Sequence, residues 1–223
     1  MTIWTYLARR WPEVLQLTVE HALLVGVAVL LATLIGVTLG TLVYRSGLAT
    51  SALLTTTNSA FTIPALAYFG VLVFLVGLGF VPSVIVLTIY ALLPIVRNTV
   101  TGLREVPSAV VKSATGMGMG RLQRLLRIEL PLAWPVILSG MRVASVMTVG
   151  IAAIAAWVAG PGLGRLIFGG LAALGSPRAV PQAVAGTVGV VLVALVLDAT
   201  LGAVGKLTTP KALRGTPAAG GAR

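Results

Sequence analysis

The sequence contains no aspartate, glutamate, lysine or arginine between Arg45 and Arg97. Such a stretch excludes an ordinary water-soluble domain, in which about a quarter of the residues are charged. A transmembrane helix needs about 20 consecutive apolar residues, so the stretch is long enough for two crossings of a membrane. Its middle, residues 77–83, carries two glycines and a proline, which end one helix and begin the next. The stretch therefore predicts two membrane-spanning helices joined by a short turn.

Similar apolar runs occur elsewhere in the chain, in which 57% of the residues are hydrophobic and 9% are charged. They cover about residues 18–42, 135–159 and 182–205, and they bring the predicted number of transmembrane helices to about five. A β-barrel would show short segments of alternating polarity, whereas these runs are continuously apolar. The predicted fold class is therefore all-α, a polytopic membrane protein in contact with lipid.

Three parts are expected along the chain. Residues 1–17 carry Trp4, Trp11, Arg9 and Arg10 ahead of the first apolar run, a composition typical of an interfacial helix with aromatic anchors. Residues 18–206 form the predicted transmembrane domain. Residues 207–223 form a predicted cytoplasmic tail, which is expected to be disordered.

The lysines and arginines favour one orientation in a bacterial cell membrane. If the loop at 97–127 is cytoplasmic, the N-terminus lies outside, the C-terminus lies in the cytoplasm, and cations on the inside outnumber those on the outside. The inside set is Arg45, Arg97, Arg104, Lys112, Arg121, Arg124, Arg127, Lys206, Lys211, Arg214 and Arg223, and the outside set is Arg9, Arg10, Arg165 and Arg178. Because these cations are spread over several loops, the net charge of +11 does not predict nucleic-acid binding.

The sequence offers no catalytic or metal-binding constellation, since it has one histidine, five acidic residues and no cysteine. A phosphate-binding loop is also missing, because Gly205-Lys206 lacks the required glycine and serine or threonine around it. The chain is therefore expected to hold no cofactor and not to be an enzyme. His21 is expected to be solvated or to cap a helix near the outer interface. Asp198 is expected to reach the headgroups or a neighbouring helix.

Arg142 lies within the predicted span at 135–159, about 16 Å along the helix from Pro131. It is expected either to extend to the inner interface or to pair across a dimer, and a structural pair is favoured. In the first span, Gly36 and Gly40 form a G-x-x-x-G pattern that permits a close helix contact.

The loop between the third and fourth predicted spans carries two short amphipathic segments. A helix is expected to start at Pro107 and to end among Gly116, Gly118 and Gly120, which permit positive φ angles. The second segment, 121–130, alternates arginines with leucines and an isoleucine over a helical period. Composition alone fits a helix that rests on anionic lipid as well as a helix that docks on a protein.

The spacing of residues in this loop favours docking. Lys112-Ser113-Ala114 is followed after three residues by Gly118, after nine more by Ile128, and after one more by Leu130-Pro131. This pattern resembles the EAA loop of binding-protein-dependent ABC importer permeases, E-A-A-x(3)-G-x(9)-I-x-L-P. Lys112 and Ser113 depart from it, because the pattern has an acid and an alanine there.

The likeness extends over about residues 18–205. The segments 62–67, 90–99, 116–119 and 160–164 resemble permeases of the osmoprotectant branch, which import glycine betaine, carnitine, choline or proline betaine. The resemblance implies the fold of methionine-importer permeases, with two permease subunits, identical or similar, enclosing one pathway. It also implies cytoplasmic coupling helices that dock on a dimer of ATPase subunits, which bind ATP and Mg²⁺, and an extracytoplasmic substrate-binding protein. The residues assigned to coupling are Pro107, Lys112, Ser113, Ala114, Gly116, Gly118, Ile128, Leu130 and Pro131.

A second group of residues is expected to form the pathway or its gate. Pro64 and Pro94 each interrupt a span and either shape the pathway or only adjust helix packing. The polar residues expected to face the pathway are Asn58, Thr62, Tyr68 and Asn98. Gly160, Gly162 and Gly164 predict a re-entrant segment near the outer gate, with an ordinary turn as the alternative. A stand-alone secondary carrier or channel, or an ABC importer of another small substrate, is the alternative function.

Overall fold

The computed structural model describes residues 2–209, and the predicted tail beyond Thr209 lies outside the described residues. Within this range every regular element is helical. Helix α1 spans Ile3–Val43, α2 Gly47–Thr62, α3 Ala65–Val76 and α4 Phe80–Arg104. A short helix α5, Ser108–Gly116, is followed by α6, Arg121–Arg124, and by a π-helical turn, Leu125–Glu129, that leads into α7, Leu130–Ile154. A 3₁₀ turn, Ala155–Val158, then leads to α8, Gly164–Ala172, and α9, Ala179–Thr208.

Four of the described helical segments are long and apolar enough to cross a membrane, and α2 with α3 can supply a fifth. The pair is bent by 90° at its break. Pro64 causes the break, because a residue that precedes proline avoids the helical region and Ile63 accordingly has φ −72° and ψ 128°. The prediction of about five core helices is confirmed, with the second crossing formed by two helices instead of one.

From Ile3 onward, the predicted interfacial segment is helical and continuous with the first span in α1. A kink separates the two parts, since Arg10 has a non-helical φ of −120° and ψ of 16° and Pro12 follows within the helix. Tyr6 and Val14 on this segment are buried against the bundle.

Helix α4 lies at the centre of the bundle and packs against both α1 and α7. Gly36 and Gly40 permit the contact with α1, because a Cβ atom there would lie 2.9 Å from Ile95 Cγ2 and 2.7 Å from Thr99 Cγ2. The predicted close helix contact at the G-x-x-x-G pattern is confirmed. On the other side, Gly140 lets α7 approach the Pro94 carbonyl.

His21 is fully buried in this bundle, so the expectation that it is solvated or caps a helix is wrong. Its exposed fraction is 0%, and its Nε2 atom lies 3.1 Å from the Val149 carbonyl oxygen. Gly162, with φ +110°, packs directly on the imidazole. The segment that follows α7, which contains Gly162, folds back over this part of α1. It covers His21, although the apolar run at 18–42 places this residue close to the end of a span.

Candidate functional site

Helix α5 stands in the loop between α4 and α7 and has defined ends. Pro107 occupies the position before its first residue. At the other end the Gly118 and Met119 N–H groups donate to the Thr115 and Ala114 carbonyls at 3.0 and 3.1 Å. This is a Schellman motif, and it requires the positive φ of +81° that Gly118 adopts. The helix and its glycine terminator are therefore where the sequence predicts them.

One side of this loop faces away from the bundle. Lys112, Ser113 and Gly116 are exposed, whereas Ala114, the third residue of the triplet, is buried. Large apolar side chains are also exposed here, with Met117 at 70% and Leu122 at 68%. Exposed apolar side chains of this size are typical of a surface that a protein or a membrane covers.

The opposite side of the loop is tied to the bundle through Glu129. This side chain is 2% exposed, in the π-helical turn before α7. It accepts hydrogen bonds from Arg124 Nε at 2.9 Å, from Arg45 Nη2 at 2.8 Å and from the Tyr44 hydroxyl. Burial and the neighbouring carboxylate raise the pKa of the Tyr44 phenol to about 12, so the hydroxyl remains a donor.

The same contacts reach α5 and the ends of three long helices. Arg124 Nη1 donates to Thr115 Oγ1 of α5 at 2.6 Å. Arg104 Nε, at the end of α4, donates to the Tyr44 carbonyl at 2.9 Å, and its Nη2 atom donates to Thr50 Oγ1 of α2 at 2.9 Å. We call Tyr44, Arg45, Thr115, Arg124 and Glu129 the Glu129 network. It joins α5 to α1 and α7, and Arg104 extends it to α4 and α2.

Sequence reasoning missed Glu129, which occupies the variable position between Ile128 and Leu130-Pro131. Two signals were present: an acidic residue beside an apolar run, and Arg124 five residues earlier, the separation that a π-helical turn brings together. The partners at Tyr44 and Arg45 are 85 and 84 residues away, and no local pattern indicates them. Ile128, Leu130 and Pro131 are half-buried and form the junction of the π-helical turn with α7.

The residues assigned to the pathway fall into separate places. Asn58, Thr62 and Pro64 lie exposed on the bent pair α2–α3. Tyr68 donates to the Ala60 carbonyl across the bend at 2.8 Å, and Tyr90 of α4 donates to the Ile63 carbonyl. These hydroxyls satisfy carbonyls that the break at Pro64 leaves without helical partners.

Pro94 and Asn98 lie deeper, on α4. Asn98 Nδ2 donates to the Pro94 carbonyl at 2.9 Å, so this side chain satisfies a carbonyl of its own helix. The structure therefore brings Tyr68 to Tyr90 and Asn98 to Pro94, and Tyr90 lies one helical turn before Pro94 on α4.

The third set of residues assigned to the pathway consists of Gly160, Gly162 and Gly164, all of which are buried. A Cβ atom at Gly160 would lie 2.6 Å from the Ala155 carbonyl oxygen, and one at Gly164 would lie 2.0 Å from that of Ala153. Their role in this structure is to let the segment before α8 pack tightly on α7 and α1. The assignment of these glycines to a gate stays a prediction.

Arg142 and Asp198 form the second charged contact between distant elements. Arg142 Nε and Nη2, on α7, donate to the two carboxylate oxygens of Asp198, on α9, at 2.8 and 2.7 Å. The favoured expectation of a structural pair for Arg142 is therefore confirmed, but its partner lies within its own chain and not across a dimer. The expectation that Asp198 reaches a neighbouring helix is confirmed.

Residues 32–209 match the protein family described as binding-protein-dependent transport system inner membrane component. The osmoprotectant import permease protein OsmW of Salmonella typhimurium is 40% identical over 204 residues, which cover 89% of this chain and 93% of the relative. The glycine betaine/carnitine/choline transport system permease protein OpuCB of Bacillus subtilis is 34% identical over 211 residues, which cover 95% of each chain.

Among solved structures, an inward facing conformation of the MetNI methionine ABC transporter is similar, with a TM-score of 0.72 and 22% identity. The match covers 89% of this chain and 99% of that one. The predicted likeness in fold to methionine-importer permeases is therefore confirmed.

Proposed function

This chain belongs to the family of binding-protein-dependent transport system inner membrane components, and from this we propose that it forms the membrane pathway of an ATP-driven importer for a compatible solute. The substrates that fit are glycine betaine, choline, carnitine or proline, because OpuCB is named for the first three and OsmW for osmoprotectants. The chain is a transport subunit, and ATP hydrolysis falls to a partner.

The observation that carries the coupling part of the proposal is the two-sided α5 loop. One side, with Lys112, Ser113 and Met117, is exposed, whereas the other is held to the bundle by Arg124 and Glu129. A docked partner that moves α5 therefore also pulls on α1 and α7 through hydrogen bonds of 2.6 to 2.9 Å. Such a link lets the docked partner favour one of two packed arrangements of the bundle over the other. A ligand shifts the conformational equilibrium of a protein in this way, even when it binds far from the region that moves.

The remaining parts of the assembly follow from this role. A dimer of ATPase subunits, which binds ATP and Mg²⁺, occupies the exposed side of α5 in the cytoplasm. A second permease subunit, identical or similar, completes the pathway, and a substrate-binding protein delivers the solute from outside. This arrangement places the C-terminus in the cytoplasm and the N-terminus outside, in agreement with the distribution of lysine and arginine.

Site-directed cross-linking tests the docking. The chain contains no cysteine, so Ser113→Cys introduces one thiol on the exposed side of α5. A short bifunctional reagent is expected to join this thiol to the ATPase subunit, and the yield is expected to change when ATP is added. Thr200→Cys, exposed on α9, is the control and should give no such product. Equal yields from the two positions would contradict the docking.

Transport by the reconstituted assembly tests the function itself. Proteoliposomes that contain this chain, its ATPase and its binding protein are expected to accumulate glycine betaine or choline only when ATP is hydrolysed. Uptake that follows an ion gradient without ATP would favour the alternative, a secondary carrier, and would contradict the proposal.

A further inference from the structure

Arg142 and Asp198 lie deep in the membrane-spanning region, at equal depth on two neighbouring helices. Arg142 is about 18 Å along α7 from Leu130, and Asp198 is about 15 Å along α9 from Thr208, at 1.5 Å per residue. These two helix ends lie together, because Trp134 Nε1 donates to Thr208 Oγ1 at 2.7 Å. The predicted spans end on this side at Pro135 and Gly205, about 10 Å along the helices from Arg142 and Asp198, so both charges lie within the hydrocarbon core, which is about 30 Å thick.

The charged groups are nevertheless accessible from outside the chain. The side chains of Arg142 and Asp198 are 44% and 36% exposed. Ionised side chains at this depth are rare on surfaces that face lipid, and they instead face water-filled cavities or other protein. The face of α7 and α9 that carries the pair is therefore not a lipid-facing surface.

A groove leads to the pair from the α5 end of the bundle. It consists of two adjoining cavities of about 700 and 390 Å³ that share Ser139, Arg142 and Asp198. The larger cavity continues to Lys206 near the end of α9, and the smaller one to Met147 on α7. Gly202 leaves room beside the guanidinium, since a Cβ atom there would lie 3.8 Å from Arg142 Cζ. Both are open along one side, so the pair can be reached from the groove.

From this geometry we propose that Arg142 and Asp198 form a binding site within the pathway for a zwitterionic solute that carries a carboxylate and a quaternary ammonium group. The proposal rests on the proposed function, and it adds a binding site within it. The solute carboxylate takes the place of Asp198 on the two N–H groups of Arg142, which present a planar fork. The quaternary ammonium group has no N–H to donate, and it lies against the released carboxylate of Asp198. The hydroxyl of Ser139 supplies a further donor.

The exchange conserves charge at every stage. Before binding, one cation faces one anion, and in the complex each of them faces the opposite charge of the solute. No ionised group is left without a counter-charge within the membrane, which is the condition that makes such exchange feasible there.

Uptake of two solutes that differ in the carboxylate tests the proposal. The reconstituted assembly is supplied with its binding protein saturated with glycine betaine or with choline, which has the quaternary ammonium group but no carboxylate. Because the binding protein is saturated, a difference in its affinity for the two solutes does not affect the measured uptake rates. Arg142→Gln is expected to lower the maximal uptake rate of glycine betaine about tenfold, because the variant lacks the guanidinium group that binds the carboxylate. The uptake rate of choline, which has no carboxylate, is expected to change much less. Arg142→Lys keeps the cation and is expected to retain more glycine betaine uptake.

The control is Thr200→Val, since Thr200 is exposed on α9 two residues from Asp198 and does not line the groove. It should leave both rates unchanged. An equal loss of both solutes in the Arg142 variants would mean that the pair only ties α7 to α9, and it would overturn the inference. Loss of the second permease subunit from the purified variant would show that the groove is a subunit interface, and it would overturn the inference as well. Absence of ATP-driven uptake in the unmodified assembly would instead contradict the proposed function.

Discussion

Glu129 and Asp198 are both carboxylates paired with arginine across distant parts of the chain, but their surroundings differ. Glu129 is enclosed and accepts hydrogen bonds from Arg45, Arg124 and Tyr44. Asp198 lies in an open groove, where Arg142 supplies both of its hydrogen bonds from one side. Three donors from two sequence regions fix Glu129 in one position, whereas water or a solute can reach Asp198 and Arg142 directly.

This difference separates two uses of the same chemistry. A buried carboxylate that is held by several donors transmits displacement. Breaking any of its hydrogen bonds leaves a buried charge without compensation, so the bonded elements move together. An accessible pair contributes little to stability, because water competes for both groups, but it can exchange partners. The Glu129 network therefore suits the mechanical role in coupling, and the Arg142–Asp198 pair suits recognition.

Neutralising the two carboxylates in turn gives the largest expected contrast. Glu129→Gln is expected to lower the free energy of unfolding by about 2–3 kcal/mol, because it removes the charge from buried hydrogen bonds with Arg124 and Tyr44. It should also lower the solute imported per ATP hydrolysed. Asp198→Asn, the matched variant, is expected to change thermal unfolding in detergent much less. Equal destabilisation by the two variants would contradict the distinction between them.

A valine at Gly118 tests whether the network needs the turn that follows α5. The positive φ of +81° costs a residue with a side chain about 1–2 kcal/mol, and more when the side chain is β-branched. We expect ATP hydrolysis to continue while uptake per ATP falls severalfold, with the transmembrane bundle intact by circular dichroism. Gly116→Val is the control, since Gly116 is helical and a Cβ atom there meets no neighbour. If the two variants import the same amount of solute per ATP hydrolysed, the positive φ of Gly118 is not needed for coupling.

Lys112→Glu is expected to have the smallest effect. Lys112 is exposed on α5 and belongs to neither charged contact, so its charge interacts through water and salt. The substitution also restores the acid of the resembled pattern. Uptake per ATP is expected to change by no more than about twofold. A large loss measured at physiological ionic strength would show that the ATPase recognises this cation directly.

The parts of the fold that depend on local composition could be predicted from the sequence. Continuous apolar runs indicated the spans, the glycines at 116, 118 and 120 indicated where α5 ends without singling out Gly118, and Gly36 with Gly40 indicated a close helix contact. Pro64 indicated an interruption of the second span, but not its angle of 90°. The angle depends on how α3 packs against α4, which local sequence does not specify.

The polar contacts could not be predicted, because they join residues far apart in the chain. Glu129 meets Tyr44 across 85 residues, Arg142 meets Asp198 across 56, and His21 meets Val149 across 128. Each contact depends on the relative rotation of two helices, and a rotation of one residue position would remove it. An ionisable residue in an apolar run therefore predicts that a partner exists without identifying it.

The bend at Pro64 has a consequence for local unfolding. Phe69 is the single fully buried residue of α3, so this helix loses less packing than α4 does when the two separate. The separation of α3 should therefore leave α4, with its many buried side chains, still folded. Half of one membrane crossing then forms its own cooperative unit, attached to the bundle by the packing of Phe69 and, just before α3, by the hydrogen bond from Tyr90 to the Ile63 carbonyl.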